Sequence, residues 1–192
     1  MPKWKIDASS FLDKLFNDSQ SQLPTPQVIR SMLIGTPPRG ALGNGLRLPI
    51  KHRVKQDILD PTQQVSFPHV EDVQLHHIFP KKWITKNASP NNFGTWYSGV
   101  GTQSPQILDA TNSLANLTPL TGDSNTKWRD TSPGTIIAGL PSKSKNSKNP
   151  IWQERFINSL AINDLSADKA KDFIERRAEE IADWILQQTI VH

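Results

Sequence analysis

Fifteen prolines are distributed along this 192-residue chain, which has only ten glycines. Proline fixes its own φ angle and lacks a backbone N–H, so it suits the first turn of a helix but interrupts a long one. The proline content therefore favours ordered turns and short elements over a bundle of long helices. Thr25-Pro26 is typical of a helix start and Gly35 of a helix end, so we predict a helix between them.

Patterns of apolar and turn-forming residues predict the other elements. Two strands are predicted, over 70–79 and over 114–120. Loops are predicted at 36–49 and 87–113, and a polar connector at 142–148. Helices are predicted from Ser9 or Ser10, from Ser124 with Asp123 as its cap, over 133–140, and twice in the last 42 residues, where Ser166 caps the second helix.

Cysteine is absent, which excludes disulfides, thiolate zinc sites, iron–sulfur clusters and cysteine nucleophiles. Any metal must therefore bind to histidine, carboxylate, amide or water oxygen. No apolar run approaches the roughly 20 residues that span a bilayer, and residues 1–16 lack the apolar segment of a secretion signal. We expect a cytoplasmic protein with no membrane partner.

The net charge of +4 conceals an asymmetry along the chain. Residues 1–150 contain 17 Lys and Arg against 10 Asp and Glu, whereas residues 151–192 contain 5 against 8. A polyanion such as nucleic acid would therefore bind the first three quarters of the chain. Many basic proteins never bind nucleic acid, so this asymmetry alone identifies no partner.

Two adjacent histidines, His76 and His77, end the first predicted strand. Side chains alternate across a strand, so the two imidazoles point in opposite directions and can take different roles. One could bind a metal while the other acts elsewhere. The alternative is a pair of partly buried histidines, one of them hydrogen-bonded in the core, and the dipeptide alone favours this simpler reading.

The segment downstream of the histidines favours the functional interpretation of the pair over the structural one. LHHIFPKKW followed by ANLTPLTGDSNTKW resembles the HNH domain of GmrSD-type restriction endonucleases, within the ββα-metal (HNH) nuclease family. The resemblance covers residues 70–140 and extends more loosely to FIERRAEEIADWI near the C-terminus; residues 1–60 resemble nothing comparable. It implies an α+β fold, mainly helical, around a small core of two antiparallel strands and a helix. We expect an N-terminal helical and loop extension (1–60), the nuclease core (61–148) and a C-terminal helical scaffold (149–192), forming one compact unit.

The resemblance also implies roles for four residues. His76 would be a metal ligand, and His77 the general base that takes a proton from the attacking water. Asn116 would orient His77, largely through its backbone carbonyl on the far ring nitrogen. Asn125 would be the second metal ligand. Unlike many members, this chain has neither a third histidine within the motif nor a carboxylate at position 76.

These roles suit phosphodiester hydrolysis, which needs an activated water and a cation near the developing negative charge. An imidazole, whose ordinary pKa is about 6.5, can act as a base at neutral pH. One imidazole, one amide oxygen and several waters form an open, oxygen-rich site that favours Mg²⁺, or Mn²⁺, over tightly held Zn²⁺. With two neutral protein ligands, metal affinity should be modest.

Basic residues flank the motif and are candidates for contacts with DNA phosphates: Lys81, Lys82, Lys127 and Arg129. Lys127 is the first choice because it lies within one turn of Asn125. Each of these side chains could instead be ordinary solvated surface. Trp83, Trp96, Tyr97 and Trp128 are interpreted as core residues more readily than as base-stacking ones.

The sequence therefore predicts a metal-dependent DNA endonuclease acting in restriction or anti-phage defence. Its DNA would most readily be double-stranded. In the resembled group the nuclease is commonly joined to a sensor or NTPase module, which this chain lacks. Two alternatives stay open: an HNH-fold module that binds nucleic acid without cutting it, and a toxin nuclease neutralised by an immunity protein.

Overall fold

The computed structural model describes residues 24–37, 39–65, 73–146 and 148–190. This part of the chain is α+β and mainly helical, with a small two-stranded antiparallel sheet, which confirms the predicted class at that level. The helix predicted from Ser9 or Ser10 lies outside the described residues. No helix in the described ranges is long and apolar enough to cross a membrane.

The elements are numbered in chain order. The two strands are β1 (Val73–His77) and β2 (Leu117–Thr121), and single 3-10 turns cover Gly94–Trp96 and Leu114–Asn116. The helices are α1 (Pro26–Gly35), α2 (Gly40–Leu46), α3 (Leu48–Arg53), α4 (Lys81–Asn87), α5 (Pro90–Phe93), α6 (Pro105–Thr111), α7 (Gly122–Trp128), α8 (Pro133–Gly139), α9 (Ser142–Lys145), α10 (Pro150–Gln153), α11 (Ser159–Ser166) and α12 (Ala170–Ile190).

Prolines begin many of these helices, as their number predicts. A proline occupies one of the first two positions of α1, α3, α5, α6, α8 and α10. There the missing N–H costs nothing, because the first backbone donors of a helix have no partner within it. The proline-free α12, with 21 residues, is the long exception.

Two loop predictions were wrong. Residues 36–49 contain α2 and the start of α3, and residues 87–113 contain α5, a 3-10 turn and α6. The glycine-rich sequence of α2 is a poor helix former, but Gly43 and Leu46 are buried there, so tertiary packing outweighs intrinsic propensity. The connector at 142–148 likewise includes the short helix α9.

Two predicted helix caps were also wrong. Thr121 caps α7, its side chain accepting a hydrogen bond from the Ser124 N–H, and Asp123 lies inside the first turn. Ser166 is the last residue of α11 rather than the cap of α12. By contrast, α1 begins after Thr25 and ends at Gly35, as predicted.

The sheet pairs His76 with Thr118 and His77 with Leu117. Helix α7 follows β2 directly and packs on both strands, while α12 packs against α1 and the 3-10 turn before β2. Buried apolar residues from all three segments of the chain belong to one cluster, among them Ile50, Phe79 and Phe173. The sheet and the helices that precede and follow it in the chain therefore share one core.

Candidate functional site

Strand β1 ends with the two histidines, and its pleat separates their environments. His76 is 7% exposed, whereas His77 is half-buried. Both side chains line one open cleft of about 610 Å³ with residues of α4 and α7. The alternation that the sequence predicts therefore yields one nearly buried imidazole and one that is partly accessible.

His76 and Asn125 meet although 49 residues separate them. The His76 Nδ1 lies 2.6 Å from the Asn125 Oδ1; because an amide oxygen only accepts, Nδ1 is the donor in this arrangement. The Asn125 Nδ2 donates to the Gln74 Oε1 at 2.5 Å, which fixes the amide orientation. Packing of α7 across both strands brings the two side chains together.

The other edge of the His76 ring is buried. Its Nε2 has no hydrogen-bond partner among the described residues, and the ring centroid lies 5.0 Å from that of Trp128. Burial lowers the pKa of His76, opposed in part by the hydrogen bond to Asn125. The imidazole is thus held neutral, the state in which histidine binds a metal.

The donor pair is compatible with a small divalent cation. A nitrogen and an amide oxygen 2.6 Å apart face an open cleft, and adjacent ligands on Mg²⁺, each at about 2.1 Å, lie about 3 Å apart. Binding would require the Nδ1 proton to move to Nε2 and the two donor atoms to move apart, because 2.6 Å is shorter than this ligand spacing. Among the described residues, no group of three or more His, Cys, Asp or Glu could hold a metal, so water and substrate would complete the coordination.

His77 is kept neutral by its surroundings. Burial, with smaller contributions from the charges of Lys81 and His76, lowers the pKa of His77 to about 4. A neutral imidazole has one free nitrogen with which to accept a proton. The ring is therefore unprotonated at physiological pH, and a pKa this low makes it a weaker base than an ordinary imidazole.

Asn116 is fully buried and joins β2 to the segment after His77. Its backbone carbonyl accepts from the Ile78 N–H at 2.7 Å. Its side-chain oxygen accepts from the Phe79 N–H at 2.8 Å, and its side-chain nitrogen donates to the Phe79 and Thr111 carbonyls. In this conformation the carbonyl thus serves the backbone after His77, and the structure records no hydrogen bond from it to the imidazole.

The basic candidates divide into two sets. Lys81, Lys82 and Arg129 line the cleft, where Lys82 also pairs with Asp130 at 3.4 Å. Lys127 is exposed but lies outside the cleft lining. Of the aromatic candidates, Trp83 and Trp128 are buried in the core, while Trp96 and Tyr97 pack partly buried against it.

Three buried charged residues escaped sequence reasoning: Asp57, Arg155 and Arg177, all 0% exposed. Arg177 has a recognisable signal, since it falls on the apolar stripe of α12 between Phe173 and Ile181 at four-residue spacing. A charge on such a stripe is expensive unless it is hydrogen-bonded. Asp57 and Arg155 lie in turns, where no periodicity marks them.

No family model matches this chain, and comparisons with curated proteins and with solved structures find no significant match.

Proposed function

We propose that this protein is a metal-dependent DNA endonuclease in which β1, β2 and α7 form a ββα-metal (HNH) core. The observation that supports this most strongly is the convergence of His76 and Asn125 at 2.6 Å, beside His77, in a cleft with three basic side chains. A buried structural histidine would also be hydrogen-bonded, so the proposal rests on the position of this pair beside His77 and the basic side chains.

In this proposal His76 and Asn125 hold Mg²⁺ or Mn²⁺. When bound, the cation supplies positive charge next to the scissile phosphate. His77, neutral because of its lowered pKa, accepts the proton of the attacking water. Asn116 is assigned a positioning role rather than a catalytic one, because it ties β2 to Ile78 and Phe79, the residues that follow the base.

The cleft also suits a polyanion. Lys81, Lys82 and Arg129 place positive charge around the histidines, against the one carboxylate of Asp130. Such contacts would hold the backbone without reading base edges, so intrinsic sequence specificity should be low. Selectivity in restriction or anti-phage defence would then come from a separate sensor or NTPase module.

Cleavage of supercoiled plasmid tests the proposal. Wild-type protein should nick the plasmid with Mg²⁺ or Mn²⁺ and not with EDTA, and nicked circles should precede linear product because one such centre cuts one strand. DNA binding without cleavage in any of these conditions would contradict the nuclease and favour the non-cutting module. Growth arrest on expression, relieved by a partner protein, would instead indicate a toxin.

A further inference from the structure

The edge of β2 that does not pair with β1 has backbone groups that need hydrogen-bond partners from elsewhere in the fold. Among the described residues the sheet has two strands, so one edge of β2 pairs with β1 and no described strand lies beside the other edge. Residues 117–120 are all buried, so water does not reach the backbone groups of that edge freely. Unpaired backbone donors and acceptors in such a place cost free energy comparable to lost hydrogen bonds.

Two buried charges take the place of a third strand. Arg177 of α12 donates from Nη1 to the carbonyls of Ala115 and Leu117, each at 2.7 Å. At the other end of the edge, the Asp57 Oδ2 accepts from the Thr121 N–H at 2.8 Å and from the Thr121 hydroxyl at 3.0 Å. Between them stands Pro119, which has no N–H to satisfy.

We infer that Asp57 and Arg177 are positioning residues for the proposed active site, one for each of its asparagines. The inference rests on the proposed function. Arg177 holds the carbonyls on either side of Asn116, and Asp57 holds Thr121, the cap of the helix that carries Asn125. The buried charges thus set where the two ends of β2 place their side chains.

The link from Asp57 to Asn125 is short. The Thr121 hydroxyl accepts from the Ser124 N–H at 3.3 Å while it donates to Asp57. Asn125 lies next to Ser124 on α7, one turn after Thr121, and its side chain contacts His76. Asp57 is itself fixed, because its Oδ1 accepts from the N–H groups of Leu59 and Asp60. A change at Asp57 should therefore reach the donor pair through the start of α7.

The placement of Arg177 is costly, which indicates that its contacts matter. The side chain is fully buried, and its Nη2 has no hydrogen-bond partner in the part of the chain that the structure describes. Burial, together with the charge of Arg155, lowers the pKa of Arg177 to about 9. No ion pair with a carboxylate offsets this cost among the described residues. An apolar residue on the stripe would avoid these penalties but would leave the two carbonyls around Asn116 unpaired.

The positioning role of Asp57 is tested first with a conservative substitution at Thr121, which should fold. Thr121→Val removes the hydroxyl, and its control Thr121→Ser keeps it. Asp57→Asn has Asp60→Asn as its matched control, since among the described residues the Asp60 side chain is hydrogen-bonded to Thr62 alone. In metal-free protein, NMR spectra should show the Asn125 side-chain amide shifted in Thr121→Val and Asp57→Asn and unmoved in the two controls. Mn²⁺ titration should then show affinity reduced about tenfold in the first two variants, the effect expected for residues that orient metal ligands.

The positioning role of Arg177 is tested by comparing substitutions at two neighbouring residues of α12, Arg177 and Arg176. Arg177→Met removes the donors to the Ala115 and Leu117 carbonyls and also the Nε–H that donates to the Arg155 carbonyl at 2.8 Å. Arg176→Met removes a partly exposed contact to Asp164. Plasmid cleavage by the folded fraction of Arg177→Met should lose kcat at least tenfold with KM for DNA unchanged, because the basic cleft is untouched. Arg177→Lys, which restores donors near the carbonyls, should recover part of kcat, and it replaces Arg177→Met if that variant does not fold.

The outcomes separate the two claims. If wild-type protein neither cuts DNA nor binds Mn²⁺, the proposed function fails, and the metal-free spectra still decide whether Asp57 positions Asn125. If Thr121→Val and Asp57→Asn leave the Asn125 amide and Mn²⁺ affinity as in wild type, the positioning role of Asp57 is wrong. If Arg177→Met and Arg177→Lys both cut DNA with the kcat of Arg176→Met, the positioning role of Arg177 is wrong.

Discussion

Replacing Asn116 with alanine should destabilise the protein severely. The side chain is fully buried and makes three hydrogen bonds: it accepts from the Phe79 N–H at 2.8 Å and donates to the Phe79 and Thr111 carbonyls at 3.1 and 3.2 Å. Alanine leaves one buried donor and two buried acceptors unpaired, at about 1–3 kcal/mol each before relaxation. We expect a loss of about 3–5 kcal/mol in the free energy of unfolding, a large share of the ~5–15 kcal/mol typical of a domain.

Urea denaturation of the purified variants measures this loss. Asn112→Ala is the matched control, because Asn112 is exposed and its side chain makes one bond, to the Leu108 carbonyl at 3.2 Å; it should cost less than about 1 kcal/mol. Asn116→Asp keeps the acceptor for Phe79 but turns an oxygen toward two carbonyls, so it should be least stable when ionised and recover partly in acid. An Asn116→Ala loss no larger than that of Asn112→Ala would refute the reasoning.

Three further predictions concern the cleft. The free energy of unfolding of the metal-free protein should fall as the pH falls from 6.5 toward about 4. In this range the unfolded chain binds a proton at His77, whereas the folded protein does not, because its His77 pKa is lowered. His77→Gln should flatten this pH dependence, measured as the urea midpoint. Lys81→Ala and Arg129→Ala should each weaken DNA binding and reduce its salt slope by about 1, while Lys86→Ala, outside the cleft lining, leaves the slope unchanged. Asn125→Ala should move the Mg²⁺ dependence of cleavage to higher concentration; an identical curve would remove Asn125 from the site.

Elements marked by local chemistry were predictable from the sequence. Thr25-Pro26 and Gly35 bound α1 because cap and proline preferences act within a few residues. The strand that carries the two histidines was also recognised, although it ends at His77 rather than at residue 79. The meeting of His76 with Asn125 required the motif resemblance, since apolar periodicity says nothing about pairs 49 residues apart.

What escaped prediction depends on tertiary contacts. Helix α2 forms from a glycine-rich sequence because Leu46 is buried, not because the segment favours a helix. The bonds of Asp57 to Thr121 and of Arg177 to Leu117 span 64 and 60 residues. Among these buried charges, only Arg177 is indicated by the sequence, through its position on the apolar stripe of α12.

The nicking rate of supercoiled plasmid under excess enzyme, with Mg²⁺, tests the central claim most directly when wild type is compared with His77→Ala. The partly accessible His77 side chain makes no hydrogen bond within the described part of the chain, so its replacement should leave the fold and DNA binding intact. Removing a general base typically costs about 10²–10⁴-fold in rate. We predict a loss in that range with unchanged DNA affinity; equal nicking rates for the two proteins would contradict the assignment of the active site.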